Sequence, residues 1–325
     1  MKKIYRIGCV GLLCDIPLLL ASAKGMFAEE GLAVDLTIEL GWASLEAKLI
    51  SRQLTAANLP AVMPLALSLG KGKVPLPVRA LAPTAYEGDA LLLNAELAAA
   101  VKQAQRPSEP IRIGVEAPYT QANLLLRSWL KRTSPSIQAS TTAVPLAISQ
   151  IADFLGEGYI QGFCSSAPLS QIAERARLGV TVAQSRDYFP LHLQSVVAAT
   201  ETFCLREEKA AQAITNALER ARAFCAEPIN HGEIMKVFSA CKSSVFSPSE
   251  LPRAVLENAA QLRALLGFEA SESKTGPSGK DPFEVVTKAL RALPGPDLSE
   301  QEIRKEARRV YPFLNPLPVG EQPQP

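Results

Sequence analysis

The sequence predicts an α/β fold of two lobes with a helical C-terminal portion, and three observations carry that prediction. Apolar runs of strand length alternate with helix-length stretches from the first residues onward, the pattern of strand–helix units in largely parallel sheets with helices on both faces. The alternation stops at Arg106-Pro107-Ser108 and starts afresh at Ile111. After Ser185 one more strand is followed only by helical periodicity. At 325 residues, 47% of them apolar, the chain is long enough to bury two cores of ordinary size.

Taken in order, residues 4–10 read as a buried strand and 17–30 as the helix after it. Pro17 suits a first helical turn, where a missing N–H costs nothing; Gly25 and Gly31 fit a helix end and a turn. Strand and helix then alternate at 34–38, 42–52, 56–59 and 64–69, and 78–82 is a further strand. Residues 90–94 form an apolar strand leading elsewhere, followed by a helix at 95–105. In the second alternation, strands are expected at 111–115, 136–142, 159–164 and 180–183. Helices are expected at 120–132, at 145–155 with Pro145 at its start, and at 168–177. A last strand at 194–200 precedes helices at 207–225, 231–239, 249–265, 282–293 and 299–310. Residues 271–281 have the composition of a flexible loop, and 312–325 carry five prolines, a tail by composition.

The opening residues also imitate a secretory signal: Met1-Lys2-Lys3, an apolar stretch to Leu20, then Ala21-Ser22-Ala23. A signal's apolar core is an uncharged run of about 7–15 residues. Here Arg6 and Asp15 bracket only residues 7–14, and Pro17 interrupts the apolar residues beyond them. The expectation is therefore a first strand and helix and a cytoplasmic protein, with a periplasmic location as the alternative.

Composition narrows the function classes. The net charge of +2, with both signs mixed along the chain, argues against a general nucleic-acid binder, and no run of about 20 apolar residues could insert in a membrane. Six cysteines without CxxC spacing read as buried thiols, and two histidines give no metal-ligand spacing. There is no Gly-rich phosphate loop or serine-centred elbow, so no cofactor and no metal is expected. Ligands of open α/β sheets sit beyond the carboxyl ends of strands, which selects the loops 11–15, 41–44, 59–63, 83–89, 116–121, 164–167 and 184–190. Trp42 is either a stacking wall for a ligand or a buried loop anchor. Trp129, at helical spacing with Leu125 and Leu126, is core. His192 either faces the cleft or takes a surface or capping role, and His231 follows a turn as a structural or solvated residue. Asp15 reads as a helix N-cap. Cys164 ends a strand at the cleft edge with no histidine near it in sequence to make it a nucleophile.

Several stretches together resemble the substrate-binding proteins of nitrate and bicarbonate ABC importers and their soluble cytosolic relatives that sense nitrate or nitrite. In the first lobe these are Arg6-Ile7-Gly8, Asp15-Ile16-Pro17-Leu18, Ala23-Lys24-Gly25-Met26-Phe27, Gly41-Trp42-Ala43-Ser44 and Leu59-Pro60-Ala61-Val62-Met63-Pro64-Leu65. In the second they are residues 123–130, Gly162-Phe163-Cys164 with Ala167-Pro168, and Gly179-Val180-Thr181-Val182-Ala183. The likeness covers about residues 6–224.

The resemblance implies a type II periplasmic-binding-protein fold, two lobes with a hinge. Lobe one would comprise 1–88 and 190–312, lobe two 89–189, and 313–325 a Pro-rich tail, with crossovers near 86–92 and 184–192. In nitrate-binding relatives a tryptophan loop packs on the planar anion and an amide at the first crossover hydrogen-bonds it. A histidine at the second-lobe helix and a lysine after the last crossover supply positive charge. Trp42 keeps the first element, beside Ser44. The amide falls on Asp89, the histidine on Ala122 with Gln121 beside it, and the lysine around residues 190–191. The expected ligand site is thus Trp42, Ser44, Asp89, Gln121 and His192, a pocket without its usual cations, where a carboxylate would repel a bound anion. The implied function is a small-solute sensor or receptor acting by lobe closure. Its partners would be a small polar solute and either a regulatory protein, an RNA-binding antitermination regulator in the family's cytosolic sensors, or a transporter permease. The alternatives are an importer's receptor, or an enzyme of cofactor-precursor metabolism on the same fold, for which Asp89 would be the cleft carboxylate.

Overall fold

The computed structural model describes residues 3–71, 75–103, 105, 109–190, 192–241, 262–263, 287–288, 290–291 and 298–314. Most of the helices expected at 249–265 and 282–293, the loop at 271–281 and most of the proline-rich tail lie outside the described residues.

Ten strands form two five-stranded sheets. β1 (Ile4–Cys9), β2 (Ala33–Ile38), β3 (Ala56–Pro60), β4 (Val78–Tyr86) and β10 (Leu193–Thr200) make the first, in the order β2-β1-β3-β10-β4. β5 (Asp89–Leu93), β6 (Ile111–Val115), β7 (Thr141–Pro145), β8 (Gly162–Ser166) and β9 (Val180–Gln184) make the second, in the order β7-β6-β8-β5-β9. The expectation of largely parallel sheets needs correction. The β2-β1-β3 and β7-β6-β8 parts are parallel, but β10 runs antiparallel to both β3 and β4, and β5 antiparallel to both β8 and β9. The reason is connectivity: β5 and β10 each enter their sheet from the other one, so each arrives reversed.

The residues that imitate a signal are the centre of the first core. Ile7 and Cys9 of β1 are fully buried, and the helix Ile16–Ala23, with Pro17 in its first turn, buries Leu18, Leu20 and Ala21. Gly25 (φ +71°) and Gly31 (φ +80°) take the left-handed backbone that a helix stop and a tight turn need. Gly8 positions the next helix: a Cβ there would stand 2.5 Å from Leu45 Cδ2, so its absence lets the helix Trp42–Ile50 lie close on β1.

The segment 134–145 departs from the sequence reading. The strand expected at 136–142 is a helix, Pro135–Ser140, followed by β7, and the helix expected to start at Pro145 is a short one at Ile151–Gly156. Ser134 accepts from Ile137 N–H as an N-cap and Pro135 occupies the first turn, a start signal that outweighs the strand preference of the β-branched residues after it. The C-terminal helices pack back onto the first sheet's side: Glu208–Ala226 against Ile16–Ala23 and β4, and Glu300–Val310 against the helix Val62–Ser68. Ser299 and Glu302 close a capping box on the last helix, and beyond it the buried Tyr311 hydroxyl donates to the Ala61 carbonyl. Trp129 is core, all six cysteines are free, and five of them are buried. Among the described residues no helix is long and apolar enough to cross a membrane.

Candidate functional site

The ends of both sheets meet at a narrow cleft with a cavity volume of about 10 Å³, room for about one water, lined by Cys14, Trp42, Pro60, Asp89, Thr120, Gln121, Ser166, Gln194 and Ser195. Three of the five expected site residues, Trp42, Asp89 and Gln121, line it. Ser44 lies outside the lining and gives its hydroxyl to Glu39 Oε2 at 2.8 Å, while Lys48 Nζ donates to Glu39 Oε1 at 2.6 Å. His192 also stands outside the lining, buried beside Asp89.

The floor on the first sheet's side is set by the loop after β1. Asp15 does not cap the helix next to it; its carboxylate turns back on the loop, a correction to the N-cap reading. Oδ2 accepts from the N–H groups of Val10 (3.2 Å), Gly11 (2.8 Å) and Leu12 (2.9 Å), and Oδ1 accepts from Asn58 Nδ2 (2.6 Å). Three converging backbone donors outcompete a single helical N–H, and Gly11 at φ +79° permits the tight curl. The network continues through Thr84 Oγ1, which donates to Asn58 Oδ1 (2.8 Å), to the Ser195 hydroxyl 2.7 Å away at the cleft. Burial raises the Asp15 carboxyl to about 6, and these donors pull it the other way.

Two further buried acids meet at the cleft. Glu116, just after β6, accepts Trp42 Nε1–H on Oε2 at 2.5 Å; on Oε1 it accepts the Ser165 hydroxyl and the Ser166 N–H (2.9 Å). Trp42 comes from the first sheet's side and the serines end β8, so one carboxylate ties the two sides together. Burial pushes the Glu116 carboxyl above the usual range, and the charge of Asp89 adds to that. Asp89 opens β5 directly after Glu87 and Gly88, both in left-handed backbone (φ +57° and +88°). Its Oδ1 accepts from Ser166 Oγ (2.9 Å) and from Gln194 Nε2 (3.1 Å). Its Oδ2 has no hydrogen-bond partner, and neither has His192 Nε2, 3.9 Å from it. His192 Nδ1 lies 2.7 Å from the Phe189 carbonyl. A carbonyl only accepts, so Nδ1 carries a proton and donates it there. Gln121, first in the helix Gln121–Leu130 behind its Thr120 N-cap, donates from Nε2 to the Leu193 carbonyl at 2.8 Å, a further link between the sides.

Glu116, Ser166 and Cys14 fall inside loops selected by the strand-end rule, although no single-residue signal marks them. Gln194 and Ser195 sit inside an apolar strand, and only their polarity at the start of β10 hints at a cleft. Burial pushes the Cys14 and Cys164 thiols well up, so neither is a thiolate at neutral pH. Among the described residues no three His, Cys, Asp or Glu side chains are grouped to hold a metal.

Residues 2–239 match the model of a family described as NMT1-like. The chain is 28% identical over 303 residues to the nitrate import ATP-binding protein NrtC of Synechocystis sp., covering 88% of this chain and 45% of that protein. It is 29% identical over 254 residues to the bicarbonate transport ATP-binding protein CmpC of Synechococcus elongatus, covering 73% and 38%. The chain thus spans less than half the length of these relatives. In fold it is similar to the crystal structure of the periplasmic nitrate-binding protein NrtA from Synechocystis, with a TM-score of 0.70 at 15% identity, over 94% of this chain and 88% of that one.

Proposed function

The chain belongs to the NMT1-like family, a solute-binding family of nitrate- and sulfonate-type ABC importers, and on that premise we propose that it senses a small polar solute by closing two lobes around it. Residues 1–88 and 190–312 act as one lobe, 89–189 as the other, and 313–325 as a tail. The observation that carries this is the set of hydrogen bonds that cross the cleft: Trp42 to Glu116, Gln194 to Asp89, and Gln121 to the Leu193 carbonyl. Each exists only when the lobes approach, so a solute bound between them shifts the population toward the closed form by its differential affinity. Compared with the oxyanion receptors its relatives' names describe, the pocket is altered: acids line or border it, and no lysine or arginine is in its lining. Six free thiols support a reducing compartment, the cytoplasm. The closed surface is offered to a regulatory protein or to a permease–ATPase assembly.

Small-angle scattering of the full chain during solute titration tests closure. A saturable fall in the radius of gyration is expected with any solute that also raises the melting temperature. A solute that stabilises the chain without contracting it refutes the closure mechanism.

A further inference from the structure

We propose that the cleft selects a small ammonium-bearing solute over an oxyanion, with Asp89 Oδ2 as the acceptor that holds it; this rests on the solute-binding role proposed for the chain. The cleft contains two buried carboxylates with different duties. Glu116 has both oxygens engaged by Trp42, Ser165 and Ser166. Asp89 is 3% exposed and lines the cavity, yet only its Oδ1 is engaged, by Ser166 and Gln194. A buried carboxylate oxygen without a donor is costly, and such an orphan at a cavity is met by a ligand that brings one.

The charge balance points the same way. An anion needs donors, but the Trp42 indole, the Ser166 hydroxyl and one N–H each of Gln121 and Gln194 already serve acceptors of the protein. The charged groups facing Asp89 are Glu116, whose carboxyl feels its charge, and His192. His192 does not engage it by a hydrogen bond: the 3.9 Å gap is too long for one, and both facing atoms are without hydrogen-bond partners. Asp89 Oδ2 is therefore left without a donor beside a second buried acid, where a positively charged N–H donor is welcome and an oxyanion is repelled. Trp42 and Pro60 supply apolar wall for a short alkyl group.

Isothermal titration calorimetry of the full chain at constant ionic strength, with methylammonium and ethylammonium chloride against sodium nitrate and sodium formate, tests this. The ammonium salts should bind saturably and the anions should not. An Asp89→Asn variant should bind the ammonium ions about tenfold more weakly or worse, the loss of a hydrogen bond to a charged group. Saturable nitrate or formate binding, ammonium affinity unchanged in a folded Asp89→Asn, or no binding of either ammonium ion overturns the proposal. The wild-type comparison decides even where the variant does not fold. Nitrate binding with contraction in scattering would sink the charge assignment and leave closure standing; ammonium binding without contraction would do the reverse.

Discussion

Asp15 and Asp89 are the same residue in the same degree of burial, and they differ in how their oxygens are satisfied. Asp15 accepts four hydrogen bonds, three from one turn of backbone and one from Asn58. Asp89 accepts two, both on one oxygen, and leaves the other without a donor, 3.9 Å from His192 Nε2. A buried acid whose acceptor capacity is filled by its own loop is a scaffold element; one left half filled at a cavity is a place for something else. Both border one cleft, Asp15 reaching it through Asn58, Thr84 and Ser195, so the shape of the loop is fixed on one side while chemistry remains open on the other.

Asp15 is the more costly of the two to remove. Asp15→Ala strands three backbone N–H groups and Asn58 without their acceptor, and should cost about 3–5 kcal/mol in denaturant unfolding. Asp89→Asn, which removes charge but keeps an acceptor, should cost far less; equal losses would erase the distinction.

The next effect is one of pH. The Asp15 carboxyl stands at about 6 in the folded chain against an ordinary 3.8. It therefore holds its proton more tightly folded than unfolded, and its contribution is fully present below pH 3.8 and lost as pH rises through about 6. The loss is roughly 3 kcal/mol across that window. Carboxyl-carbon NMR should place the Asp15 midpoint near 6, and the wild type should lose stability over this window relative to Asp15→Asn. A midpoint near 4 would mean that the donors outweigh burial.

The smallest effect is expected at the hydrogen bond from Trp42 to Glu116. Trp42→Phe keeps the packing and deletes the indole N–H, leaving Glu116 Oε2 without that donor; a cost of about 1–3 kcal/mol is expected in the same unfolding assay. Scattering should show a larger average radius as well. A variant as compact and stable as the wild type would mean that Trp42 anchors the loop by packing alone.

Most elements were legible from local pattern. β6 and the helix His231–Ser239 coincide with their expected bounds, and β1 differs by one residue. Local pattern failed at 134–145, where strand-forming threonines competed with a Ser-Pro helix start, and it could not give strand direction, which depends on which sheet a strand comes from. For the site, the rule of strand ends selected the loops, and the family resemblance singled out Trp42, Asp89 and Gln121 within them. They could not show who bonds whom: Trp42 and Glu116 are 74 residues apart, Asp89 and Gln194 105. Donor and acceptor bookkeeping exists only after folding, and it is what separates Glu116 from Asp89.

The strand order of the first sheet has a consequence for how the chain is made. β10 lies between β3 and β4, so those two cannot be joined until residues 193–200 have left the ribosome. All five strands of the second sheet lie between residues 89 and 184 and are synthesised before that moment. The second sheet can therefore assemble while the first still has a gap, and β10 arrives as the keystone that completes the first sheet and brings Gln194 up to the waiting Asp89.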